Sequence, residues 1–152
     1  MIGELKRVLL AEDSAHDVEL TLEALAHNNL ANEVIVTRDG AEAWDYLVCR
    51  GRFAGRPVGN PAVVLLDLKM PKMDGLEVLR LMRANPALRS IPVVMLTSSR
   101  EETDVVRSYE LGVNAYVVKP VAFEEFMNAV RNLGLFWAVL NQPPPEQRRE
   151  AA

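Results

Sequence analysis

Short apolar runs alternate along the chain with longer stretches in which apolar residues recur every three or four positions. Five runs, Val8–Ala11, Val34–Thr37, Val63–Leu66, Val93–Leu96 and Ala115–Val118, are mostly rich in Val, Ile and Leu without polar alternation. This pattern predicts strands covered on both faces, as in a parallel sheet between helices. The intervening stretches predict helices. Val18, Leu22, Leu25 and Ala26 mark the first, with Ser14 and Asp17 as a loose capping box at its start. Gly40, Ala43, Trp44 and Leu47 mark the second. Leu76, Leu79 and Met82 mark a third, which stops before Asn85-Pro86 because the residue ahead of proline disfavours helix. Val105, Val106 and Tyr109 mark a fourth, closed by Gly112. Phe123, Phe126, Met127, Val130 and Leu133 mark a fifth.

A strand followed by a helix, five times over, predicts an α/β fold: a doubly wound parallel sheet with helices on both faces. In such folds ligands bind beyond the carboxyl ends of the strands. Residues 51–61 contain three glycines and two prolines and predict a loop without regular structure. The chain divides into a folded domain over 1–140 and a proline-rich, extended tail over 141–152.

Composition narrows the class. The 152 residues suit one domain, being within the roughly 100–200 that one domain takes. The net charge of −4 argues against a nucleic-acid face built on bulk positive charge. The single cysteine, Cys49, excludes an internal disulfide and points to a reducing cytoplasm. No apolar run is long enough for a signal peptide or a membrane span, so no membrane partner is expected.

The chemistry gathers at the predicted strand ends. Glu12-Asp13 follow the first strand, Asp67 the third, Thr97-Ser98 the fourth and Lys119-Pro120 the fifth. Carboxylates brought together repel, and one takes up a proton unless a cation joins them. Glu12, Asp13 and Asp67 offer only oxygen, a donor set suited to Mg²⁺ with a phosphate as co-ligand. A carboxylate in that setting can attack phosphorus. Lys119 and Thr97 can then bind the added charge.

These residues are similar to those of the receiver domain of bacterial two-component systems, of the chemotaxis-regulator type. The matching residues are Glu12-Asp13, the stretch from Leu66 to Gly75, Thr97-Ser98 and Lys119-Pro120, with Thr97 and Lys119 standing 30 and 52 positions after Asp67. The likeness extends from about Lys6 to Leu133. It implies a flavodoxin-like (βα)5 fold with strand order 2-1-3-4-5. It implies Asp67 as phosphoacceptor. It implies Mg²⁺ held by Asp13, Asp67 and the backbone carbonyl of Lys69, with Glu12 acting through a metal-bound water. Thr97, Ser98 and Lys119 would bind the phosphoryl group, and Tyr116 would be the switch aromatic. The bond between Lys119 and Pro120 is expected to be cis. The insert at 51–61 and a last helix running through Phe136-Trp137 resemble the single-domain regulators paired with bacterial phytochromes. That implies a sensor histidine kinase, with a phytochrome as first candidate, and output through a downstream protein or a histidine phosphotransfer protein.

Plainer readings stand beside these. Glu12-Asp13 alone is a common solvated loop, and Tyr116 alternates with core residues as a static tyrosine would. Thr97 is an alternative cap for the fourth helix, but Ser99 ahead of Glu101 and Glu102 is the better cap. His16 and His27 read as surface, Cys49 as packing and Trp44 as core. Arg83, Arg89, Arg100 and Arg107 read as solvated. The run from Leu133 to Leu140 is too apolar for an exposed helix end, so Phe136, Trp137 and Leu140 are candidates for a homodimer interface. Two rival functions are an aspartyl-phosphate phosphatase and an adaptor that is never phosphorylated. The first needs a second aspartate two positions after the nucleophile, where this chain has Lys69.

Overall fold

Side chains alternate across a strand, so a strand apolar at every position has to feed two cores. The computed structural model describes residues 7–27, 33–98 and 101–119. In it β1 (Arg7–Ala11), β2 (Glu33–Thr37), β3 (Val63–Leu66), β4 (Val93–Thr97) and β5 (Ala115–Val118) form one parallel sheet in the order β2-β1-β3-β4-β5. Leu9, Ala11, Val64, Leu66, Val93 and Met95 point to one face, where α2 (Gly40–Leu47) and α3 (Gly75–Ala84) supply Ala43, Tyr46, Val78, Leu79 and Met82. Val8, Leu10, Val63, Leu65, Val94 and Leu96 point to the other, where α1 (Ala15–His27) supplies Val18 and Leu25. The three central strands are almost wholly buried, while the edge strands β2 and β5 are partly open. The doubly wound fold and its strand order are as expected.

The starts of α2 and α3 are set by acid caps. Asp39 Oδ1 accepts from the Glu42 amide at 2.7 Å, and Asp74 Oδ1 from the Glu77 amide at 2.9 Å. The fourth helix, α4 (Glu102–Glu110), differs from expectation. Its N-cap is Glu101, not Ser99, and Thr97 is the last residue of β4. It sinks only Ser108 fully and leaves Val106 and Tyr109 exposed.

Three further readings change. The loop after α2 carries a 3-10 turn at Gly51–Phe53 and is fastened by Arg56. The Arg56 guanidinium lies 4.0 Å from the Tyr46 ring centroid, and its nitrogens donate to the carbonyls of Tyr46, Pro57 and Gly59. Arg83 is not a solvated side chain. It donates to the carbonyls of Arg89, Ile91 and Gly112 at 2.9, 2.8 and 2.7 Å, and burial lowers its pKa. Trp44 is half-buried against the core rather than enclosed by it. His16 is exposed, as read from the sequence. The fifth helix, Ser99, Arg100, Pro120 and its bond, Phe136, Trp137, Leu140 and the tail lie outside the described residues.

Candidate functional site

Ladder hydrogen bonds carry the strand register past the strand ends and bring the polar residues together. The Asp67 amide donates to the Ala11 carbonyl at 3.0 Å, placing Asp67 beside Glu12. The Lys119 amide donates to the Thr97 carbonyl at 2.6 Å. Alternation then sorts the side chains. Glu12, Asp67 and Lys119 continue the parity that faces α1, whereas Thr97 and Tyr116 continue the parity that faces α3. After Asp67 the chain turns back sharply, and the Gly75 amide donates to the Leu68 carbonyl at 2.7 Å. A Cβ on Gly75 would stand 2.3 Å from the Asp67 carbonyl oxygen, so only glycine fits where the turn closes on the site.

Glu12, Asp13 and Asp67 present ligand atoms within 4.8 Å of one another, with Asp13 open to solvent and the other two buried. Three carboxylates with an open side fit a hard divalent cation, which takes oxygen ligands and keeps waters. The Lys119 ammonium lies within the same cluster. Its Nζ is 2.9 Å from Glu12 Oε1, 2.7 Å from Asp17 Oδ2 and 3.4 Å from Asp67 Oδ2.

Burial shapes the charges. It pushes the Glu12 carboxyl from 4.5 up to about 7, with the Asp67 charge adding and the hydrogen bond from Lys119 opposing. For Lys119 burial acts to lower the pKa, but the bonds to Asp17 and Glu12 and the charge of Asp67 outweigh it, so the ammonium is held charged. The site therefore keeps one fixed cation next to an acid whose proton is held unusually late.

A sequence model described as the response regulator receiver domain matches residues 8–131. The chain belongs to the response regulator receiver family. Response regulator Rcp1 of Synechocystis is 42% identical over 132 residues, covering 87% of this chain and 88% of that protein. The solved bacteriophytochrome response regulator RtBRR is 64% identical with a TM-score of 0.79, covering 96% of this chain and 88% of that one. A second, AtBRR, is 63% identical with a TM-score of 0.76, covering 91% and 99%. A structure of Rcp1 is described as its Mn²⁺-bound form.

Most residues singled out in the sequence of this receiver sit at the one sheet edge. Thr97 is fully buried, Tyr116 is half-buried against the α3 side and Ser98 is exposed. The Lys69 side chain points outward, with Nζ 3.8 Å from Asp104 Oδ2 on α4. The residue that sequence reading missed is Asp17. It stood there as a helix-capping acid, and only half of that capping box forms. Ser14 Oγ accepts the Asp17 amide at 3.3 Å, but the Ser14 amide goes to Glu12 Oε2 at 3.1 Å and not to Asp17. The available signal was parity: a first-turn acid of the helix covering the face on which Glu12, Asp67 and Lys119 lie.

Proposed function

We propose that this receiver takes a phosphoryl group onto Asp67 from the phosphohistidine of a sensor kinase, and that a phytochrome kinase is the donor. The observation that carries the reading is the buried Asp67 carboxylate set between a carboxylate pair and the Lys119 ammonium. An Asp67 oxygen attacks phosphorus, the P–N bond to the kinase histidine breaks, and the imidazole leaves with the electron pair. Asp13 and Asp67, with the Lys69 carbonyl, would hold Mg²⁺ directly and Glu12 through a metal-bound water, and the ion would supply charge neutralisation for the incoming group. Lys119 pairs with the charge that remains on the acyl phosphate, and Thr97 donates its hydroxyl to a phosphoryl oxygen.

Thr97 and Tyr116 share a sheet face on adjacent strands, with Tyr116 opposite Met95 and Thr97 opposite Val118. A hydroxyl drawn toward the phosphoryl group would vacate space that Tyr116 can enter. The added charge favours the arrangement in which Thr97 and Lys119 both bind it, and that difference in binding shifts the conformational equilibrium. The surface of α4 and β5, with the fifth helix, would then signal by protein contact, to a downstream protein or a histidine phosphotransfer protein. The exposure of Val106 and Tyr109 on α4 supports this. The likeness to phytochrome regulators favours the kinase named. Phe136, Trp137 and Leu140 remain the candidates for a homodimer contact. Among the described residues no helix is long and apolar enough to cross a membrane.

The test is incubation with Mg²⁺ and either acetyl phosphate or a panel of kinases that includes a phytochrome kinase. One phosphoryl group should appear by intact mass, and D67N should remove it. No modification of the wild type would leave an adaptor, and sustained turnover of phosphate esters would favour a phosphatase.

A further inference from the structure

Lys119 is shared unevenly. An ammonium has three N–H donors, and here they face Asp17, Glu12 and Asp67 at 2.7, 2.9 and 3.4 Å. The shortest contact is to the acid on α1 and the longest is to Asp67. Asp17 is well placed to keep that hold. Its backbone is tied at both ends, by Ser14 Oγ on its amide and by the Thr21 hydroxyl on its carbonyl. Its carboxylate is left for Lys119 because Glu12 has taken the Ser14 amide. The pair is largely shielded, with Lys119 and Asp17 side chains 13% and 27% exposed, so solvent screens it less than a surface pair.

The geometry points to Asp17 as a positioning residue that holds the Lys119 ammonium toward α1, so that a phosphoryl group on Asp67 has to compete with it for the lysine. This rests on the phosphoacceptor reading of Asp67 and adds to it a restraint on how tightly the phosphorylated form is held. Asp17 touches neither the reacting carboxylate nor the phosphorus; it acts through Lys119. Removing its charge leaves Lys119 with Glu12 and Asp67 as partners, so the lysine stays in the site and gains freedom to close on the added group.

Beryllofluoride with Mg²⁺, read by fluorine NMR on the full chain, tests this. D17N should bind beryllofluoride roughly three- to tenfold more tightly, the scale of freeing one hydrogen bond of ordinary net strength. The bound fluorine resonances should shift as the ammonium approaches. D17E restores the charge and should return the affinity toward wild type. In a K119A background D17N should change affinity far less. Unchanged or weaker binding by D17N overturns the inference, as does an equal gain in K119A, which would mean bulk charge acting without the lysine. Should D17N not fold, D17S also removes the charge and reads the same way. If the wild type binds no beryllofluoride, the phosphoacceptor reading itself falls and this inference with it. If the wild type binds and D17N matches it, only the inference falls.

Discussion

Glu12 is a buried acid, its side chain 2% exposed, that shares one ammonium with two other acids. Its folded pKa, about 7, lies above the ordinary 4.5. A raised acid binds its proton more tightly in the folded chain than in the unfolded one. Its contribution to stability is therefore full below the unfolded value and is lost as pH rises through the folded value. Without divalent ions, the melting temperature of the wild type relative to E12Q should fall as pH rises from about 4.5 to about 7 and level off above that. Added Mg²⁺ should close that gap most at the upper end, where the ionised carboxylate can accept from a metal-bound water. Thermal melts at three pH values, with EDTA and with Mg²⁺, check both. A gap that widens toward acid would show that Lys119 outweighs burial. Arg83 makes a second residue-scale case. R83A leaves three carbonyls without their donor and should cost about 2–3 kcal/mol, at roughly 1 kcal/mol per hydrogen bond, by chemical denaturation. R83K, with no planar fork, should recover only part of it.

At the scale of elements, the join between β3 and α3 is the tightest point of the site. G75A places a methyl against the Asp67 backbone and should cost about 1–3 kcal/mol while shifting Asp67 itself, so acetyl phosphate labelling should fall along with stability. The loop after α2 behaves differently. R56A removes the cation over Tyr46 and three hydrogen bonds, and should loosen residues 51–60 by limited proteolysis while leaving labelling of Asp67 nearly unchanged. Neither feature is visible to composition. The glycines and prolines of that loop rule out long helix or strand, but its order comes from a guanidinium stacked on a ring that lies in a different element. The same gap explains the misplaced cap of α4: Ser99 has the better capping chemistry, yet the helix takes Glu101 as its N-cap, a residue whose side chain makes no capping hydrogen bond.

For the whole molecule, the sheet was legible because burial on both faces forces continuous apolar runs. Each strand was found to within one residue, and the residues left out were the polar ones at the ends, Arg7, Glu33 and Thr97. The site was legible as far as strand ends define it: Glu12, Asp13, Asp67 and Lys119 converge as their positions require. Asp17 was not, because its bond to Lys119 spans 102 positions and depends on α1 lying over one face of the sheet. Among the described helices the least anchored is α4. Its one fully buried side chain, Ser108, gives its hydroxyl back to the Asp104 carbonyl of the same helix. Its amides should then exchange with deuterium sooner than those of α3, whose Val78, Leu79 and Met82 are locked in the core. A helix so weakly tethered sits near the bottom of the free-energy ladder of local opening, and the work needed to reposition it is small beside the stability of the sheet that carries it.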